Sequence, residues 1–502
     1  MKRILRLLTG LALGIVLSIP PMSASASSDW SPVGSADEGF HEIVIQDSVP
    51  FFRQFSFLHV SSNSKEFVCA DMSRGICESP QAAQFNVILP VCSSASDTDC
   101  IESIASSSSG GLAAVGQFDR YSMPTHPSLF RGDGRLIPRN PQSPSIWNLP
   151  SAQHSGGIQY AVHAGITGSI NNGRVTSSDF YAQIYAFKEI PGRGEAFDQN
   201  GYSNFSYCDF KPNREINGCG GGGPISGAVC VIQIQIGGAC GAQQDLPQDT
   251  SFSLKFRISQ EPNGWYHGRL AKPSVVLDKR SRGVSLTISG DPVEVPVLYH
   301  QGSYKDMPKA VKNYWDSCVS PSNWGNCPWS TRQFRADVTR QAGEKRNITS
   351  EQKPWTPKAL ETVKFFRNYT GGLSPKADQV WAVRSLESST NQGNACYTRP
   401  GFKGLISTNA TAYSSGPPTL ARGILNYSLA APSQYVGALE EISGSYDLVM
   451  SRGFASCVYG GREVSPRASI SVTQRSGTRK VATSITSRSS EWIRVTAREF
   501  TY

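Results

Sequence analysis

The spacing of twelve cysteines is the strongest constraint on how this 502-residue chain can fold. Ten of them fall into neighbouring couples eight to eleven positions apart: Cys69 with Cys77, Cys92 with Cys100, Cys208 with Cys219, Cys230 with Cys240, and Cys318 with Cys327. Cys396 and Cys457 make a sixth couple across a much longer interval. An even number of cysteines in an exported chain reads as a disulfide framework. On chain-entropy grounds each short loop contributes about 2.7 kcal/mol and the long one about 4.3 kcal/mol. The quartet Cys208, Cys219, Cys230 and Cys240 is so evenly spaced that three connectivities stay open. No C-x-x-C occurs and no histidine stands near a cysteine group, so neither a structural metal nor a cofactor is expected.

The N-terminus explains why oxidation is expected. Lys2, Arg3 and Arg6 precede the apolar run from Leu7 to Ile19, and Ala24-Ser25-Ala26 is a small-x-small cleavage site. Thirteen mostly apolar residues fall short of the ~20 that span a bilayer, and Pro20 and Pro21 end the run. Residues 1–26 are therefore read as a cleaved secretory signal, with no later segment of membrane length. The expected address is extracellular, or loosely associated with the cell wall.

A mature chain of this length exceeds a single core, and its 47 glycines and 31 prolines, with only 17% charged residues, fit a turn-rich β protein. The expectation is a mainly β protein of two or three sandwich-like domains with a helical segment around 303–390. The intervals are an N-terminal β domain over 27–149, a β-sandwich over 150–303, a helical disulfide-containing segment over 304–395 and a basic β domain over 396–502. Strands are expected at Ile158–Ala164, Phe180–Phe187, Ser251–Ile258 and Val284–Ile288, among others, because β-branched and aromatic residues alternate there. Asp306–Ser317, Ser330–Lys345, Pro357–Phe366 and Lys376–Ser385 instead carry apolar residues at helical intervals.

Charge is concentrated at one end. The last interval from Arg452 holds nine Lys or Arg against three Glu, whereas residues 27–451 are neutral overall. Such an end can collect an anionic envelope polymer. Arg494 and Arg498 are the candidates, although their alternation with Ile493, Val495 and Ala497 also suits an ordinary half-buried strand. Nucleic acid is not an expected partner, because no reading module is present. Trp315, Trp324 and Trp329 cluster beside Cys327 and are candidate stacking residues for a sugar or a partner protein; packing over a small disulfide is the plainer reading.

The segments Trp265 to Leu270, Asn426 to Leu429 and Gly444 to Met450, with Cys457 beyond and the closing Ile493 to Tyr502, resemble large uncharacterised secreted and cell-surface proteins of actinobacteria. The resemblance covers about a third of the chain and rests on packing residues and cysteines. It implies a Gram-positive cell exterior and β modules, and it assigns no catalytic residue.

Catalytic patterns are weak throughout. There is no G-x-S-x-G and no H-E-x-x-H, and Ser62-Asn63-Ser64-Lys65 matches S-x-x-K as a polar loop does by chance. His267 stands alone between Tyr266 and Gly268. Glu440, Glu441 and Asp447 are the densest acids near strands, yet adjacent strand residues face opposite sides. Asp97, Asp99 and Glu102 could ligate calcium but lack the glycine of a calcium loop. Arg131-Gly132-Asp133 and the Gly218–Gly223 run are short enough to arise by accident. The function expected is non-catalytic binding of an envelope polymer or a surface protein; the alternative is an extracellular hydrolase acting on polysaccharide.

Overall fold

The computed structural model describes mainly residues 56–108, 111–122, 143–191, 230–303, 373–385, 395–460 and 492–502, with gaps inside these spans, and short pieces at 40–45, 334–350, 360–364 and 470–485. Among described residues, 64% lie in strands and 7% in helices, so the chain is mainly β. Residues 1–26, Cys208, Cys219, Cys318, Cys327, Trp315, Trp324 and Trp329 all lie outside the described residues.

Two sheets position everything that follows. The larger has sixteen strands, and its path runs from Lys65–Cys69 through Ala82–Ile88, Gln159–Asn171, Arg174–Pro191, Ala377–Ser385, Gly264–Arg269, Phe402–Thr408 and Ser443–Ser451 to Trp492–Thr501 and Thr483–Ile485. Strands from all four intervals, 27–149, 150–303, 304–395 and 396–502, therefore share one hydrogen-bonded sheet. Its central hairpin, Gln159–Asn171 with Arg174–Pro191, turns at Asn172 and Gly173, which hold φ of 48° and 69°. Asn-Gly tolerates that left-handed geometry, and its twist matches the strands on either side. Gly264–Arg269 and Phe402–Thr408 run parallel, a pairing that needs a long crossover.

The smaller sheet has five strands in the order Ala271–Lys279, Val284–Asp291, Thr250–Ile258, Cys100–Ser108 and Ala114–Val115. Thr250–Ile258 alternates strictly between buried and half-buried, with Phe252, Leu254 and Phe256 inside. Those side chains join Ile101, Ile104, Leu286 and Ile288 against Tyr160, Phe180, Ile184, Trp381 and Leu405 of the large sheet, in one core. Two sheets packed through such a layer form a sandwich. The Trp381 indole crosses it, donating to the Gly290 carbonyl at 2.9 Å. Fully burying each of these large side chains contributes about 1.5–3 kcal/mol.

The helical expectation is corrected in part. Lys376–Ser385 is a strand, Ala377–Ser385, and Ser330–Lys345 contains the strand Phe334–Val338. The first misleads for a physical reason: Val380 and Ala382 pack on Val293 and Val295, while Trp381 and Val383 enter the main core. A strand buried on both faces has no polar alternation to betray it. Leu360, Val363 and Lys364 are helical as expected, and Asp306–Ser317 lies outside the described residues apart from Lys309.

The disulfides Cys69–Cys77, Cys92–Cys100 and Cys396–Cys457 form as expected. The last joins two short helices, Ala395–Thr398 and Arg452–Val458. Ser451 caps the second helix by accepting the Phe454 N–H. Among described residues no helix is long and apolar enough to cross a membrane.

Candidate functional site

The outer face of the five-stranded sheet has an unusual composition. Registers align Ser274, Ser289, Ser253, Ala105 and Val115 in one row across all five strands. The next row holds Val276, Thr287, Lys255 and Ser103. Most of this surface is short hydroxyl side chains, bordered by Val115 at 70% exposure on one edge and Val276 at 46% on the other. Strands lie ~4.8 Å apart and same-face residues ~6.8 Å apart, so the result is a regular lattice rich in hydroxyls with an exposed valine on each edge strand.

One end of that face is charged, and a bulge creates it. Lys255 pairs with Ser103 and Phe256 with Ile101, so Glu102 is the extra residue. The insertion keeps Ile101 and Ile104 both in the core while Glu102 and Ser103 both reach the outside. Glu102 then meets three cations: Lys255 Nζ at 3.4 Å, Arg257 Nε at 3.2 Å and Arg280 Nη1 at 3.5 Å. Burial works against its ionisation, yet the pull of Arg257 and of the Lys255 charge outweighs that and holds the carboxyl below its ordinary range. Arg280 belongs to the hairpin joining Ala271–Lys279 to Val284–Asp291, which also exposes Lys279 and Arg282. The turn closes through Gly283 at φ 73°, whose carbonyl accepts the Arg280 N–H at 3.1 Å.

The basic strand at the C-terminus is differently employed. Arg498 Nη2 donates to Asp447 Oδ2 at 2.6 Å, and Arg494 Nη1 donates to the Pro273 carbonyl at 3.2 Å. Asp447 also accepts from Thr496 Oγ1 and the Lys272 N–H, tying the large sheet to the small one. Burial pushes the Asp447 carboxyl up, against the pull of Arg498. Glu440 and Glu441 are exposed at a turn outside this group.

The remaining sequence candidates disperse. Asp97 accepts from the amides and hydroxyls of Ser93 and Ser94, and Asp99 from the amide and hydroxyl of Ser259, so the three carboxylates considered for calcium face three different donor sets. The hydrogen bonds from Ser94 and Ser93 hold the Asp97 carboxyl far below its ordinary range. His267 is buried, stacked 4.4 Å from the Tyr413 ring with Tyr427 beyond. Sequence reading overlooked the Glu102 cation group. The usable signal was local: three cations within four residues, Lys279 to Arg282, ending in glycine.

No family model matches the chain, and no curated protein and no solved structure matches it.

Proposed function

We propose that this is a non-catalytic exported protein of an actinobacterial cell exterior that binds an envelope polymer or a protein partner through the outer face of its five-stranded sheet. The observation that supports the reading is the face itself: two adjacent rows rich in short hydroxyl side chains, with exposed Val115 and Val276 on opposite edge strands, continuous with the charged group around Glu102. Interfaces need shape that another surface can meet closely, and short side chains on a regular lattice provide it. The disulfides and the leader agree with an oxidising exterior.

The test is retention of the oxidised protein on purified cell-wall fractions at low and high salt, with a second preparation carrying bulky substitutions on the face, Ser253→Tyr and Ser289→Tyr. The expected result is salt-sensitive retention that these substitutions reduce severalfold. Retention unchanged by both salt and the tyrosines would refute the assignment of this face.

A further inference from the structure

We infer that the free edge of the five-stranded sheet is a self-association surface, along which two copies of this chain pair antiparallel over Ser274 to Asp278 about a two-fold axis at Val276. The inference goes beyond the binding reading above and does not rest on it.

The strand Ala271–Lys279 ends the strand order of its sheet, so one side of it has no partner strand among the described residues. The hairpin decides which backbone groups face that side. Arg280 donates its N–H to the Gly283 carbonyl at 3.1 Å, and hydrogen-bonded positions alternate along an antiparallel ladder. Ser274, Val276 and Asp278 therefore turn their N–H and C=O groups toward Val284–Asp291, while Val275, Leu277 and Lys279 turn theirs to the open side. Pro273 agrees with this phase: it has no N–H to leave unpaired, and its carbonyl accepts from Arg494 on a strand outside the sheet. The side chains along the edge lie open as well. Val276 is 46% exposed, and Asp278 is exposed with no ion-pair partner among the described residues.

The edge is its own complement. An antiparallel pair centred on Val276 sets Val275 against Leu277 of the second copy on each side of the axis, and each such couple exchanges N–H···O bonds in both directions. On the outer face Val276 then meets Val276, and Ser274 meets Asp278, so an apolar side chain covers an apolar one and a hydroxyl donates to a carboxylate. Moving the second copy by two residues spoils the match either way: one shift sets Leu277 against Pro273, which cannot donate, and the other sets Val276 against Asp278. Lys272 and Arg280 approach each other at the ends, but each is already held, by Asp291 at 2.8 Å and by Glu102 at 3.5 Å. Growth stops at the pair. The sheet's other edge is the short strand Ala114–Val115, which offers too little backbone for a further copy, so the two-fold contact closes on itself.

The experiment oxidises single-cysteine variants of the disulfide-bonded full-length protein with copper phenanthroline and reads dimer on non-reducing gels. Val276 occupies a non-hydrogen-bonded position of the pair, where facing Cα atoms are ~4.5 Å apart and a disulfide can form. Val276→Cys is expected to cross-link to itself. Ser274→Cys and Asp278→Cys, each ~14 Å from its own copy, are expected to stay monomeric alone and to cross-link when mixed. Sedimentation without oxidant is expected to show a monomer–dimer equilibrium that Val276→Lys weakens at least about tenfold, because it sets like charges opposite each other. Far-UV circular dichroism checks that these exposed-edge variants fold. A monomer at every concentration with Val276→Cys uncross-linked overturns the inference. So does a Ser274→Cys variant that cross-links to itself as readily as to Asp278→Cys, which would mark random collision. A dimer that survives Val276→Lys and leaves Val276→Cys reduced belongs to another surface and overturns it equally.

Discussion

Arg269 is the side chain whose replacement tests the architecture most directly. It ends the strand Gly264–Arg269 at 2% exposure, deep between the large sheet and the loop that leaves Phe402–Thr408. Its Nη1 donates to the carbonyls of Thr408, at 2.8 Å, and Ala410, while Nη2 reaches the Thr411 carbonyl at 3.5 Å. The guanidinium carbon lies 4.6 Å from the centre of the Tyr413 ring. That loop also carries Asn409, which receives the Tyr502 hydroxyl at 2.6 Å, and Thr411, which donates to the Pro296 carbonyl at 2.6 Å. Arg269→Met keeps the aliphatic stem but strips the donors. Each charged hydrogen bond contributes about 1.5–3 kcal/mol, partly offset because a buried cation no longer needs desolvating. The net loss expected is about 3–5 kcal/mol, with Arg269→Lys intermediate because one ammonium cannot reproduce the fork. Urea unfolding of the oxidised protein, followed by tryptophan fluorescence, reads this as a midpoint lowered by about 1 M or more at a slope near 3 kcal/mol/M. A methionine variant within about 0.3 M of the parent, with the same slope, would show that the loop does not depend on the fork.

His154 supplies a pH test. Its Nδ1 accepts the Gly156 N–H at 3.0 Å and its Nε2 faces the Gln159 carbonyl at 2.9 Å, so the neutral ring closes the 154–157 turn. Burial depresses its pKa against the pull of Gln159, and the unfolded chain therefore takes up the proton first as pH falls. The stability it contributes is complete above about pH 6.5 and is lost as pH drops through the lower native value. His154→Gln should flatten this part of the urea midpoint against pH, and identical slopes would reject the assignment. Arg498→Ala leaves Asp447 buried and short of a partner, and should cost about 1–3 kcal/mol, the lower figure reflecting the partial exposure of Arg498. Pairing it with Asp447→Asn in a double-mutant cycle should return a coupling of at least about 0.5 kcal/mol, and zero coupling would place the ion pair outside the fold's support. Removing Cys396 and Cys457 together opens a loop of separation 61, with about 4.3 kcal/mol expected from the thermal or urea midpoint.

The strands were legible where one face meets solvent. Thr250–Ile258 shows why: Phe252, Leu254 and Phe256 alternate with Ser253, Lys255 and Arg257, and period two is written in the residues. The neighbour-paired cysteines were legible for a related reason, since a short loop at a strand end brings residues eight apart to within 5–6 Å: Cys69 ends the strand Lys65–Cys69 and meets Cys77 in the helical turn Gly75–Cys77, and Cys100 begins its strand where it meets Cys92. Ala377–Ser385 was not, because both its faces are packed and its apolar run looks the same at either period. Arg494 and Arg498 were found as cations, but the groups that hold them were not. Their partners, Pro273 and Asp447, lie on other strands and cannot be seen from the alternation of residues 492–498.

The charged end of the small sheet shows what kind of information was missing. Glu102, Lys255 and Arg280 are separated by more than 150 and by 25 positions, and nothing local couples them. Their meeting depends on antiparallel pairing of Cys100–Ser108 with Thr250–Ile258, and on one bulge that moves Glu102 to the outer face. A register one residue away would send Lys255 and Arg257 inward and Phe256 out, at a cost no surface ion pair could offset. The core residues therefore fix the register, and the register places the cations. Substitutions at Phe252, Leu254 or Phe256 that let the strand slip should scatter the charged group even though none of them touches it.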